Sequence, residues 1–478
     1  MHGSIKKFTR FAAAAAAAVL FALPAQAEGH SPPQAFSSAP YAFIGVEAGE
    51  FHSVAVRKDG SVWTWGRNLF GELGTQEHPT VGVVEAPVRL TGLSHIVSVA
   101  DQLAVKSDGT VWEWGGSAGL PRQIPGLKDV RSVMLTAGAG YALQKDGGIV
   151  TWAIGGDSGG RNLKHVPIKP AAAIAGANIS GIAYAVTSGG EVWWWQTAIN
   201  ADSGAVMISR PSKVAGLPAM KRVSAFDEQA YGVDRLGRAW SWKLASVYKP
   251  GINARYETVA GRPSLFHPEL KIADISAGNG CVLLLTVSGD VYAYGRTANG
   301  KSGKISNLSG IRAIAAGWHH NLAIDGQGRI WGWGGDRWYE AGADPTSPVD
   351  GMVYRPIRAS RAVTVIVNGA LLDTAFPAMI SGGAVQVPAR AAAKSLGMTF
   401  GVRTGPDGTM TYTLKNGDRT AAFKLGDRSV LIGGTTVQIP NAAKAMPGAT
   451  LVSADVLRQL GFSVNWDQSS ATLAITNP

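Results

Sequence analysis

The sequence predicts a mainly β protein, a seven-bladed β-propeller followed by a smaller α+β domain. Three observations carry this. A short aromatic strand led by a tight turn recurs seven times. The copies are 38 to 52 residues apart, a spacing that suits propeller blades of several short strands each. After Ser360 the aromatic pattern stops and a helix-containing unit replaces it. At 46% hydrophobic and 16% charged, the 478-residue chain is too apolar for disorder and too long for one ordinary core.

In chain order, Lys6, Lys7 and Arg10 precede an Ala-rich apolar run, Phe11 to Leu23, and the small-x-small site Ala25-Gln26-Ala27. Residues 1–27 are therefore expected to be a secretory signal peptide. Residues 28–40, rich in Pro and Ser, are expected to be a flexible leader. No later run is long and apolar enough to span a membrane. The single cysteine, Cys281, excludes an intrachain disulfide and any Cys-rich metal site.

The repeat fills residues 41–358. Its clearest copy is Asp59-Gly60-Ser61-Val62-Trp63-Thr64-Trp65-Gly66, a turn pair followed by an alternating strand. The second aromatic of each copy falls at Trp65, Trp114, Trp152, Trp195, Trp242, Tyr294 and Trp333. Trp63 and Trp65 share one strand face and are expected to pack between blades. Upstream of the aromatic strand, Gly49-Glu50-Phe51-His52 is echoed by Gly317-Trp318-His319-His320. In copies three to five the His and most of the tail of the motif are missing.

These residues resemble the regulator-of-chromosome-condensation repeat family. The match in the first copy runs through Gly49, His52, Asp59, Gly60, Trp65, Gly66, Asn68, Gly71, Leu73 and Gly74. The resemblance implies a seven-bladed propeller. Residues 361–478 carry Val367-Asn368-Gly369, Val387-Pro388-Ala389-Arg390, Leu-Gly at 396–397 and 460–461, and Val464-Asn465-Trp466-Asp467. They resemble the copper amine oxidase N-terminal-like domain, which implies a non-catalytic module with a twisted antiparallel sheet around helix. Ser453-Ala454 departs from that pattern. A helix over Ala389 to Leu396 is expected to stop at Gly397.

Copper chemistry finds no support in the tail. All nine histidines lie at or before His320, so residues 361–478 hold no imidazole or thiol ligand. His52, Cys281 and His320 occupy one repeat position; they could form a three-ligand site near the axis or make a hydrogen bond within each blade. There is no nucleophile signature and no phosphate loop. The chain is expected to be neither an enzyme nor a cofactor carrier.

Candidate binding residues are aromatic or polar groups outside the inter-blade pattern: Phe70, Trp194, Tyr248, Tyr256, Trp318, His319, Trp338 and Tyr339. Trp194 points opposite to Trp193 and Trp195 and is expected to face outward. Lys243 to Pro268, which also holds Phe266, is expected to be an exposed insertion on the rim. The formal charge of +11, and ten Lys and Arg against six Asp and no Glu in the tail, suit an anionic wall polymer better than nucleic acid in an exported protein. The expected function is a monomeric binding or adhesion protein, secreted or wall-associated, that recognises an extracellular protein or glycan. The resemblance also extends to a secreted propeller that inhibits a beta-lactamase, so inhibition of an extracellular hydrolase is an alternative. A glycan-active propeller enzyme is another. The guanine-nucleotide exchange of the family's eukaryotic namesake does not suit an exported chain.

Overall fold

The computed structural model describes residues 42–477 apart from 76–81, 117–118, 155–162, 178–179, 201–202, 250–254, 343–349, 360–362, 373, 375–377, 382–383, 447–448 and 468–471. The signal peptide and leader expected over 1–40 lie outside the described residues. So does Arg361, one of the basic tail residues.

Seven antiparallel units follow one another along the chain, each beginning with an inner strand, and the fourth and fifth are joined into one sheet by a parallel bridge between Ala177 and Ala225. The inner strands are Phe43–Ala48, Ile96–Ala100, Val130–Thr136, Ala171–Ala177, Met220–Phe226, Ile272–Gly278 and Ile311–Ala316. Each packs beside the next, and the last packs beside the first, so the units are blades 1 to 7 of a closed ring. Blades 3 to 5, whose motifs are eroded, are complete units. Among the described residues every blade is built from one continuous stretch of chain, and none borrows a strand from another.

The turn glycine explains how the blades join. Gly60, Gly109, Gly147, Gly190, Gly237, Gly289 and Gly328 all have positive φ, which a tight hairpin turn requires. Each carbonyl accepts a hydrogen bond from the first amide of the next inner strand, as in Ile96 N–H to Gly60 O at 3.0 Å. The ring closes through the same bond, from Phe43 N–H to Gly328 O at 3.1 Å. A side chain would block this approach. A Cβ on Gly60 would lie 2.6 Å from the His95 backbone, and one on Gly328 would lie 2.5 Å from Ala42.

The aromatic strand supplies the packing. Trp65, Trp114, Trp152, Trp195, Trp242 and Trp333 are all buried. Trp65 Nε1 donates to Glu340 O of blade 7, and Trp114 Nε1 to Glu72 O of blade 1, both at 3.0 Å. The Trp114 ring lies so close to Gly74 that a Cβ there would sit 2.6 Å from it. The Gly-x-Leu-Gly tail of the motif is therefore the floor on which the next blade's tryptophan rests.

The C-terminal domain has its own core, including Val387, Leu414, Phe423, Leu457 and Ile475. Its antiparallel strands form three small sheets around helices α1 (Ala389–Ser395) and α2 (Ala454–Gln459), with one parallel pair between Thr364–Val367 and Thr472–Thr476. Gly397 follows α1 at positive φ. Ser453, at the point of departure from the motif, caps α2 by accepting the Asp455 amide at 3.3 Å. Met379 and Leu451 of this domain pack with Leu73, Val84 and Val88 of blade 1.

Candidate functional site

Antiparallel order sorts the loops between two faces. The first and third connections of each blade emerge on one face; the Asp-Gly turns and the links between blades emerge on the other. Phe51, Trp318 and His319 belong to first connections, and Phe226 ends the inner strand that leads into one. Phe70, Trp338, Tyr339 and the Tyr248–Tyr256 segment belong to third connections. Seven of the eight residues singled out from the sequence therefore gather on one face.

Four rings form an arc there. His319 stacks on Phe51 with centroids 4.8 Å apart, Trp318 lies 6.2 Å from His319, and Trp318 meets Phe226 edge-on at 5.6 Å. The arc runs from blade 1 through blade 7 to blade 5. Arg67 lies 4.3 Å above the Phe51 ring and is held by Glu72 at 2.9 Å and Glu50 at 3.4 Å. Phe70 stands 57% exposed beside it. His319 is exposed, and Trp318 and Trp338 are half-buried. Tyr339 adopts a positive φ of 63°, where the same position of blade 1 is Gly71.

One expectation is corrected and one is refined. Trp194 is 6% exposed and packs in the core shared by blades 4 and 5; the neighbour that is half-open is Trp193. Lys243 to Pro268 is largely strand. Ala239–Lys249 and Arg255–Ala260 pair as an extended hairpin with Tyr248 opposite Tyr256, and Ser264–Phe266 returns as an outer strand. The hairpin stands where blades 1 and 7 have the loop that covers the next blade's aromatic. Tyr294 of blade 6 is accordingly half-buried and stacks at 3.7 Å on His267, with Phe266 edge-on at 5.6 Å.

The shared position of His52, Cys281 and His320 is a bond to the following blade, neither a bond within the blade nor a common centre. His52 Nε2 lies 2.6 Å from Asp101, His320 Nε2 lies 2.8 Å from Ser53 Oγ, and Cys281 Sγ lies 3.7 Å from Asn321. Ser53 donates its hydroxyl proton to Glu340 O at 2.7 Å, so it accepts from the protonated Nε2 of His320. Burial pushes His320 down to about 3, so the ring is neutral at physiological pH. Burial also opposes charge on His52, but the carboxylate and hydrogen bond of Asp101 outweigh it and raise its pKa. Cys281 is pushed up to about 11, chiefly by burial, which leaves its thiol unreactive at neutral pH. Among the described residues no group of three or more His, Cys, Asp and Glu is placed to hold a metal ion, and no helix is long and apolar enough to cross a membrane.

A closed ring of seven repeated blades with an aromatic face is the frame of a repeat propeller. The chain carries regulator of chromosome condensation (RCC1) repeats, matched at residues 43–72, 59–100 and 311–337, and a copper amine oxidase N-terminal domain, matched at 366–475. It is 24% identical over 344 residues to the ultraviolet-B receptor UVR8 of Arabidopsis thaliana, covering 64% of this chain and 68% of that protein. It is 26% identical to the mitochondrial RCC1 domain-containing protein RUG3 of the same plant, covering 64% and 69%. The structure of yeast RCC1 (Prp20) bound to Kap60 aligns with a TM-score of 0.48 at 17% identity, over 71% of this chain and 90% of that one.

Proposed function

We propose that the protein is a secreted, non-catalytic binding protein at the bacterial cell surface, whose aromatic face recognises a polypeptide and whose basic tail associates with wall polymer. The arc from Phe51 to Phe226 is the observation that carries the reading. It offers the half-buried Phe51 and Trp318 and the exposed His319, backed by the buried Phe226, on a rigid ring of strands, the arrangement from which interface hot spots are built. Arg67 beside the arc supplies the polar margin that such interfaces carry. The basic residues of the tail that stand on its five-stranded sheet, among them Arg403, Lys415 and Arg419, suit an anionic polymer.

The test is co-sedimentation of residues 28–478 with isolated cell-wall sacculi over a salt series. The reading expects pelleting that salt reverses and that Arg403→Ala with Lys415→Ala and Arg419→Ala weakens. If the protein stays in the supernatant at low salt, the wall role is wrong and a soluble inhibitor becomes the better account.

A further inference from the structure

Blades 1 and 7 build the same loop after their third strand. In blade 1 the Glu72 carboxylate accepts the Phe70 amide at 2.7 Å, and Asn68 accepts the Leu73 amide at 3.1 Å. In blade 7 Glu340 accepts the Trp338 amide at 2.7 Å, and Asp336 accepts the Ala341 amide at 2.8 Å. Among the differences between the copies, one removes a charge partner. Arg67 of blade 1 lies between Phe51 and Phe70 and gives Nε–H to Glu72. The matching residue of blade 7 is Gly335. The matching flanks are His319 and Trp338.

Blade 7 therefore carries the carboxylate without the guanidinium. A Cβ at position 335 would lie 2.9 Å from the His319 Cβ, 3.3 Å from the His319 carbonyl oxygen and 3.4 Å from Glu340 Oε1, so His319 crowds the place on one side and Glu340 bounds it on the other. Glu340 is 1% exposed, and among the described residues no cation lies within ion-pair distance of it. Arg337, the nearest basic residue in sequence, stands over the Trp338 ring at 5.6 Å instead.

We propose that this notch in blade 7 receives the guanidinium of an arginine from a polypeptide partner, with Glu340 as its carboxylate and Trp338 as its flank. The occupant's chemistry is taken from blade 1, where an arginine already fills the equivalent place. A planar fork between a ring and a carboxylate suits arginine better than lysine. The proposal requires His319, which is exposed and stacked on Phe51, to move aside as the guanidinium enters. The inference rests on the recognition role proposed above and gives its partner one required residue.

Burial pushes the Glu340 carboxyl up to about 7, and Asp336 adds to the rise while Arg67 opposes it. Arg337 and His319 are the other charged or titratable groups of the notch. Burial, Arg296 and Arg67 hold His319 below its ordinary value, so it titrates lower. A bound cation favours ionised Glu340, so affinity rises with pH by roughly tenfold between pH 6 and 8.

The test titrates the full chain with the peptide acetyl-Gly-Arg-Gly-amide, and with its lysine counterpart, by saturation-transfer NMR and calorimetry. The arginine peptide should bind at least tenfold tighter than the lysine one. Binding should vanish in Glu340→Gln and in the pair Gly335→Arg with His319→Phe, which rebuilds blade 1, and should survive in Arg337→Ala. Binding that persists in folded Glu340→Gln overturns the inference. So does affinity that is flat between pH 6 and 8, a readout that needs no variant. Sacculus binding runs through the tail, so the wall role and the arginine site fail separately.

Discussion

The contact between the tail and blade 1 can be weakened from the propeller side. Val84 and Val88 share one face of the outer strand of blade 1 and are buried with Leu73, Met379 and Leu451. Val84→Ala with Val88→Ala removes four buried methyl groups, at about 0.8 kcal/mol each, or about 3 kcal/mol of docking energy. Incomplete collapse of the cavity adds to the loss. At 1.4 kcal/mol per decade, 3 kcal/mol is an increase on the order of a hundredfold in the undocked population. Tryptic cleavage after Arg358 or Arg361, followed by intact mass, reads that population when opening and closing are fast. Cleavage should accelerate by about two decades, while Val233→Ala, buried between blades 5 and 6, should leave it unchanged. A double variant cut within twofold of the wild-type rate would refute the claim that this contact holds the domains together.

Gly74→Ala and Gly92→Ala form a matched pair, since both residues have positive φ but a Cβ meets the Trp114 ring only at Gly74. Urea denaturation should show about 1 kcal/mol lost at Gly92 and at least 2 kcal/mol more at Gly74. Glu340 has a folded pKa of about 7 against 4.5 unfolded, so the native state holds the proton more tightly. Stability then falls as pH rises from 4.5 to 7, by about 3 kcal/mol in all. Glu340→Gln should flatten that slope in denaturant titrations at pH 5 and pH 8, and an unchanged slope would assign it to another group. Cys281 should resist alkylation at pH 8 in the native protein and react at once in guanidinium; fast native labelling would contradict its raised pKa.

The propeller was legible because its two packing devices are local. The turn glycine and the paired aromatics fall within eight residues of each other, so the strand announces both its hairpin and its neighbour. By its length alone Lys243 to Pro268 reads as an insertion, without its strands. Leu244 to Lys249 and Arg255 to Ala260 are both β-rich and flank Pro250-Gly251, a hairpin signal in plain view. Strand alternation turns Trp194 outward, but blades are covered on both faces, so alternation does not separate core from surface. Phe51 could have been found, since it takes the position of His319 in the repeat. Phe226 could not, because only the curvature of the ring brings blade 5 within reach of Trp318. The notch at Gly335 needed two copies laid side by side in three dimensions, since an absent side chain carries no signal of its own. The tail's seat on blade 1 joins segments distant in sequence by apolar contact alone, which no motif encodes.

The uniform joint has a consequence for the order in which the molecule is made. Six of the seven carbonyl–amide joints link consecutive blades, so each can form as soon as the next sheet has been synthesised. The seventh joins Phe43 to Gly328 and must wait until the last blade exists. Until then blade 1 presents an uncovered apolar flank, including Val46 and Trp65, the kind of surface on which incomplete chains aggregate. The tail, made later still, settles on the outer strand of that same blade. The first sheet to be made is thus the last to be covered, and a ribosome stalled before blade 7 would release a chain whose exposed flank marks it for degradation.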